Sequence, residues 1–90
     1  MTKAAVVGMG TMGPGIAATL ARAGMTVRCY DASAEARERA PAGIKQATGV
    51  LAALGTPERG THEVAMTDSL AACVDGAKVV VETVPEKLDI

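Results

Sequence analysis

The sequence predicts an α/β fold built on a parallel, doubly wound sheet of about four strands. A continuous apolar run enters a glycine-rich turn near the N-terminus, and a second apolar run comes near the other end of the chain. Between them, helix-like and strand-like segments alternate. Continuous apolar runs are typical of strands buried on both faces, as in parallel sheets. The expected strand order is 3-2-1-4, with the first strand in the centre.

The first third of the chain predicts a strand–helix–strand unit. The first strand is Lys3–Val7, and apolar residues then recur at helical spacing from Ile16 onwards. Pro14 is tolerated in the first turn of this helix, and Gly24 is expected to end it. Thr26–Tyr30 is rich in strand formers and gives the second strand.

A long Ala-rich helix is expected next, from Glu35 to Leu54, with Ser33 as its N-terminal cap. Pro41 falls inside this helix and removes one backbone hydrogen bond. Because proline also crowds the preceding turn, a kink or a break is expected there.

The remaining segments predict two more strands and a short helix. A weak third strand is centred on Val64–Met66. Thr67 or Asp68 is expected to cap a helix over Ser69–Val74, and the run Ala77–Glu82 gives the fourth strand.

Size and charge exclude several classes of function. The 90 residues make one small domain, and the 9 basic and 10 acidic residues are mixed along the chain with a net charge of −1. We therefore expect neither a nucleic-acid-binding surface nor membrane attachment. Cys29 and Cys73 have no metal-ligand spacing, so buried reduced thiols in a cytoplasmic protein are expected, without a metal site.

The turn after the first strand has the pattern G-x-G-x-x-G, in the sequence GMGTMG. Gly8 permits the tight turn out of the strand, Gly10 lets the backbone approach a pyrophosphate, and Gly13 lets the helix pack closely on the strand. Thr11 and Met12 lie inside the loop. The helix start that follows can hold the anion with its free N–H groups, which predicts a dinucleotide site.

Asp31 follows the second strand, 18 residues after Gly13. An acid at this point is expected to bind the adenosine ribose hydroxyls and to repel a 2′-phosphate. Neither Ala32 nor Ser33 offers a cation, so NAD is favoured over NADP. A solvated strand-end acid or a helix cap is the alternative.

Two further acids, Glu82 and Glu86, flank a proline turn beyond the fourth strand, on the side of the ligand crevice. They could bind ribose hydroxyls or could be ordinary surface acids. His62 lies in the loop that leads into the third strand, away from that crevice. No catalytic residue is therefore assigned to the chain.

Two segments of the chain resemble the NAD-binding domain of the 3-hydroxyacyl-CoA dehydrogenase family. They are VVGMGTMGPGIAATLARAGMTVRCYD near the N-terminus and VVVETVPEKLDI at the other end. The resemblance implies a Rossmann-type fold, NAD as cofactor and a role in fatty acid metabolism. Met12, Asp31, Val84, Pro85 and Glu86 match the family's NAD contacts. Hydride transfer from a 3-hydroxyacyl or related secondary alcohol to NAD is the implied reaction.

The same resemblance implies that the chain is only the N-terminal part of such an enzyme. The family's catalytic histidine and glutamate come later, with the substrate and dimerisation domain, so a homodimer is expected only of an intact protein. Ala47 and Leu54 stand near the positions of the family's polar coenzyme A contacts and cannot make them. Carnitine, gulonate and carrier-bound hydroxyacids therefore stay open as substrates. A stand-alone NAD-binding module and a fragment of a 3-hydroxyisobutyrate-type dehydrogenase are the alternative functions.

Overall fold

The computed structural model describes residues 2–55 and 63–83. Within these ranges four strands and three helices alternate: β1 Lys3–Val7, α1 Gly13–Arg22, β2 Thr26–Tyr30, α2 Ala34–Ala53, β3 Glu63–Met66, α3 Leu70–Val74 and β4 Val79–Glu82. The strands form one parallel sheet in the order β3-β2-β1-β4. The predicted fold class and strand order are confirmed, with β4 beginning later than expected.

The centre of the sheet is buried on both faces. Val6 of β1 is paired with Cys29 of β2 and with Val81 of β4, and its side chain is fully buried. Helices α1 and α2 cover one face through small residues, Ala17, Ala21, Ala36 and Ala40. The crossover from β3 to β4 runs in the opposite direction along the sheet, so α3 covers the other face. Small side chains let the helices approach the sheet closely.

Helix α1 ends at a glycine, as predicted. Gly24 has a φ of +98°, a conformation that favours glycine. Its N–H donates to the carbonyl of Ala21 at 3.0 Å, and the N–H of Met25 donates to the carbonyl of Leu20 at 3.2 Å. This pair of bonds is a Schellman motif, which satisfies the last carbonyls of the helix and turns the chain into β2.

Helix α2 begins as predicted and then runs through its proline. The Ser33 hydroxyl accepts a hydrogen bond from the N–H of Ala36 at 3.2 Å, which confirms the cap. The helix continues without interruption past Pro41, so the expected break is wrong. Buried contacts at Ala40 and the close approach of Gly43 to Pro14 of α1 hold the helix on both sides of Pro41. Tertiary packing of this kind outweighs the loss of one hydrogen bond.

The short helix α3 is capped by a different residue from those predicted. The Ser69 hydroxyl accepts from the N–H of Ala72 at 3.1 Å, so neither Thr67 nor Asp68 is the cap. Thr67 instead donates its hydroxyl hydrogen bond to the carbonyl of Cys29 at 3.0 Å. It therefore joins the end of β3 to β2 rather than starting the helix.

The two cysteines are buried and free, as expected. Burial, with a smaller effect of the neighbouring Cys73, raises the pKa of the Cys29 thiol to about 12. Burial also raises the pKa of Cys73, whose Sγ lies 3.4 Å from the carbonyl oxygen of Arg28. Both thiols therefore stay protonated at neutral pH and act as small core residues.

Strand β4 lies at the edge of the sheet and is only partly covered. It is paired with β1, and the Val80 side chain is 54% exposed. Val79 and Val81 are half-buried. Among residues 2–55 and 63–83, no helix is long and apolar enough to cross a membrane.

Candidate dinucleotide site at the carboxyl ends of the strands

The site begins at the turn that leaves β1. Gly8 has a φ of +106°, and its N–H donates to the carbonyl of Tyr30 at 2.7 Å. A Cβ placed at Gly8 would overlap the carbonyl and hydroxyl oxygens of Thr83. The Thr83 hydroxyl in turn donates to the Gly8 carbonyl at 2.9 Å. Gly8 is therefore required both by its backbone conformation and by the chain that crosses it after β4.

The other two glycines of the motif differ in what surrounds them. A Cβ at Gly13 would overlap the carbonyl oxygen of Gly8, so α1 starts directly against the turn. A Cβ at Gly10 would meet no atom within 4 Å. The fold of the chain accordingly requires Gly8 and Gly13, whereas Gly10 leaves open space in which a ligand can approach the backbone.

The first turn of α1 is uncapped. Met12 occupies the cap position without a side-chain hydrogen bond, and no acidic residue stands in the first turn. The N–H of Ile16 is the first to bond within the helix, to the Met12 carbonyl at 3.1 Å. The amides of Gly13 and Gly15 precede this bond and have no partner within the helix, and Pro14 between them has no N–H. An uncapped helix start carries positive charge that favours an anion.

Asp31 connects this turn to the end of β2. Its Oδ2 accepts a hydrogen bond from the N–H of Met9 at 2.7 Å, and its Oδ1 accepts from the N–H of Ser33 at 2.8 Å. The side chain is half-buried. Each carboxylate oxygen has a second acceptor position, so Asp31 retains the capacity to bind two hydroxyls of a ligand.

Two residues of this region escaped the sequence reasoning. Arg37 in the first turns of α2 donates from Nη1 to the backbone carbonyl of Asp31 at 2.6 Å, and its guanidinium lies 5.6 Å from the centroid of the Tyr30 ring. Arg37 lies six residues after Asp31, beyond Ala32 and Ser33, the two positions at which a cation for a 2′-phosphate was considered. Thr83 was missed because its contact with the Gly8 turn depends on strand pairing.

Beside the glycine turn, an open groove of about 940 Å³ runs between α1 and α2. Thr11 and Met12 lie at its loop end, and Met12 is 67% exposed. Ala47 and Val50 form part of its α2 wall. Arg39 and Gln46 make this wall partly polar, but Ala47 itself is apolar where the resemblance places a polar coenzyme A contact.

The acids proposed beyond β4 are only partly described. Glu82 ends β4, is exposed, and is paired in register with Val7 at the carboxyl edge of the sheet. Val84, Pro85, Glu86 and His62 lie outside the described residues. In residues 2–55 and 63–83, histidine, cysteine and acidic side chains form no group that could hold a metal ion.

The crevice at the point where the strand order reverses, the glycine turn and the uncapped helix define a dinucleotide-binding domain of the Rossmann type. Residues 3–90 match the family model described as 3-hydroxyacyl-CoA dehydrogenase, NAD binding domain. The chain belongs to this family and is an NAD-binding domain of the oxidoreductase class.

Two comparisons with individual proteins agree with this assignment. A 5-formyl-3-hydroxy-2-methylpyridine 4-carboxylate 5-dehydrogenase of Mesorhizobium japonicum is 47% identical over 88 residues, which are 96% of this chain and 28% of that protein. The crystal structure of an enzyme of the same name, described as an NAD+ dependent dismutase, superposes with a TM-score of 0.88. It is 44% identical and covers 97% of this chain, which spans 29% of that one. Neither name supports the expectation of fatty acid metabolism.

Proposed function

We propose that the glycine turn and Asp31 hold the adenosine diphosphate half of NAD. The backbone of the turn, with the uncapped start of α1, would bind the pyrophosphate. The observation that carries this proposal is the first turn of α1, which has neither a side-chain cap nor an acidic residue. The residues assigned to the turn are Gly8, Gly10, Thr11, Met12 and Gly13.

The ribose of the adenosine is assigned to Asp31. Its carboxylate is oriented by the N–H groups of Met9 and Ser33, which fix the position of both oxygens. Two hydroxyls can then donate to a carboxylate that is already oriented, and this lowers the entropic cost of binding. Val84, Pro85 and Glu86, which the resemblance places near the nicotinamide ribose, are proposed for the other half of the cofactor.

In the protein to which this domain belongs, we propose hydride transfer between a small organic substrate and NAD. NAD supplies the hydride acceptor when it is bound. The role of residues 1–90 would be to bind and orient the cofactor, while a separate C-terminal domain would supply the acid–base groups, the substrate site and the contacts of a homodimer. The chain spans less than a third of the relatives that it matches, and this supports the division of roles.

A 3-hydroxyacyl group or a related secondary alcohol is the first candidate substrate, because the family model carries that name. The second candidate is an aldehyde on a substituted pyridine carboxylate, after the 47% identical relative. Ala47 and the 73% exposed Leu54 favour the second candidate, since neither side chain can make the polar contact with coenzyme A that the resemblance places near it.

A thermal-shift titration of the 90-residue chain with NAD tests the binding proposal. Ligand that binds only the folded state stabilises it by about 2.7 kcal/mol at a hundredfold excess over the dissociation constant. The melting temperature should therefore rise with NAD concentration, and Gly10→Val should abolish the rise while leaving the melting temperature of the free chain unchanged. No rise in the wild-type chain would contradict the proposal.

Activity assays separate binding from catalysis. With NAD and either 3-hydroxybutyryl-CoA or the pyridine aldehyde, the chain should produce NADH only at the background rate, with the Mesorhizobium relative as the positive control. Measurable turnover would mean that a residue such as His62 or Glu82 acts as a base.

A further inference from the structure

Arg37 and Asp31 place opposite charges at the position where NAD and NADP differ. The two cofactors are identical except for a phosphate on the 2′-hydroxyl of the adenosine ribose. In Rossmann domains an acid at the end of the second strand favours the free hydroxyl, and a nearby arginine accommodates the phosphate. This chain has both kinds of residue, joined by a direct hydrogen bond of 2.6 Å between Arg37 Nη1 and the Asp31 carbonyl oxygen.

The guanidinium of Arg37 is held in place rather than free in solvent. Its hydrogen bond to Asp31 and its position over the Tyr30 ring, 5.6 Å from the centroid, fix the group at the end of β2. The side chain is half-buried. A guanidinium has five N–H donors. The contacts within the described residues use one of them, so the others are available to an oxyanion.

The bond goes to the main chain of Asp31, whereas the carboxylate oxygens bond to the amides of Met9 and Ser33. Arg37 thus does not depend on the carboxylate for its position. Removal of the negative charge at residue 31 would leave the guanidinium where it is. The exposed Glu35 and Glu38 on the same helix oppose an anion, but they are solvated, and their effect is screened by salt.

We propose that Arg37 determines cofactor specificity. Its guanidinium forms a 2′-phosphate site that the phosphate does not occupy while Asp31 is negatively charged. The proposal rests on the assignment of the ribose to Asp31. With Asp31 ionised, repulsion excludes the phosphate and the chain prefers NAD. With that charge removed, Arg37 binds the phosphate and the preference moves toward NADP without any added cation.

The test measures the dissociation constants of NAD and NADP for the 90-residue chain by calorimetry. The wild type is compared with Asp31→Asn, with Arg37→Gln and with the variant that carries both substitutions. Asp31→Asn should shift the ratio of the two affinities toward NADP by at least about tenfold, as charge-assisted bonds to phosphate form. The double variant should lose this shift. Asp31→Asn combined with Arg37→Lys should retain part of the shift toward NADP. Lysine keeps the positive charge but lacks the planar pair of N–H donors with which a guanidinium binds phosphate.

Lys45→Gln in the Asp31→Asn background is the matched control. It removes the same charge from an exposed position on the same helix, eight residues away and outside the groove beside the glycine turn, and should leave the shift intact. The shift should also shrink as salt is raised, because screening weakens the contact between charges.

The outcomes distinguish this proposal from the one it rests on. If wild type does not bind NAD, the assignment of the site fails. If NAD binds but Asp31→Asn shows no shift, or the double variant keeps it, the role of Arg37 is overturned. Should Asp31→Asn fail to fold by circular dichroism, Asp31→Ser, measured with and without Arg37→Gln, decides in the same way, because the shift toward NADP must depend on Arg37.

Discussion

The starts of helices α1 and α2 face the same edge of the sheet but are built in opposite ways. Helix α2 supplies its own acceptor and its own negative charge: the Ser33 hydroxyl caps it, and Glu35 stands in its first turn. Helix α1 has neither, and glycine and proline occupy its first turn instead. Both helices leave N–H groups unpaired by the helix itself. At α2 the protein supplies the partner, whereas at α1 we propose that a ligand supplies it.

This difference separates residues that maintain the fold from residues that we propose bind the cofactor. Gly13 belongs to both groups because its missing Cβ admits the Gly8 carbonyl, and the same residue ends the glycine turn that we propose binds the pyrophosphate. The Ser33 hydroxyl contributes to the stability of α2 alone. Mutations at the two helix starts should therefore affect stability and cofactor binding in different proportions.

Gly13→Ala should have the largest effect. The added Cβ would overlap the Gly8 carbonyl oxygen, and backbone cannot move aside as a flexible side chain can. We expect a loss of about 3 kcal/mol in the free energy of unfolding, measured by urea denaturation, together with loss of NAD binding. Gly15→Ala on the same turn, where a Cβ meets nothing within 4 Å, is the control and should keep the fold. A stable Gly13→Ala chain would refute the packing argument.

Asp31→Ala should weaken NAD binding by ~1–3 kcal/mol, because charged hydrogen bonds to the ribose are lost. The preference for NAD over NADP should narrow at the same time. Asp75→Ala is the control, since Asp75 is an exposed acid before β4, at the opposite edge of the sheet. Calorimetric titration gives both affinities. If the wild-type chain binds NADP as tightly as NAD, the role assigned to Asp31 is wrong.

Ser33→Ala should cost about 1 kcal/mol of stability, as is usual for the loss of a helix cap. The N–H of residue 33 that orients Asp31 is retained, so the dissociation constant for NAD should change by less than about twofold. Chemical denaturation and calorimetry measure the two effects. A large loss of NAD affinity without loss of stability would place Ser33 in the binding site and remove the contrast between the helices.

Gly49→Ala should give the smallest effect, and in the opposite direction. Gly49 is an exposed residue inside α2, and a Cβ there meets nothing within 4 Å. Alanine in a helix interior is favoured over glycine by roughly 0.5–1 kcal/mol, so the chain should become more stable with NAD binding unchanged. Destabilisation would show that α2 is packed differently in this region.

The sequence predicts the fold well because each strand has a continuous or β-branched apolar pattern and each turn has a recognisable residue. The Ser33 cap of α2 and the glycine turn are local features, so they too can be inferred. The break expected at Pro41 is wrong because contacts that hold α2 around it, such as that of Gly43 with Pro14, come from α1, which is distant in the chain. Thr83 was missed for the same reason, since it acts on a backbone atom that only strand pairing brings near it. Arg37 is six residues from Asp31, and its contact depends on how the chain turns from β2 into α2.

The most direct test of the ligand site is an NMR titration of the ¹⁵N-labelled chain with NAD, which reads every backbone amide separately. The account predicts large shifts for the amides of Gly10–Gly13 and Gly15, smaller ones around Asp31, and almost none for Ala34–Ala36 at the capped start of α2. Equal shifts at both helix starts, or shifts confined to α2, would contradict the claim that α1 alone leaves its first turn open for the cofactor.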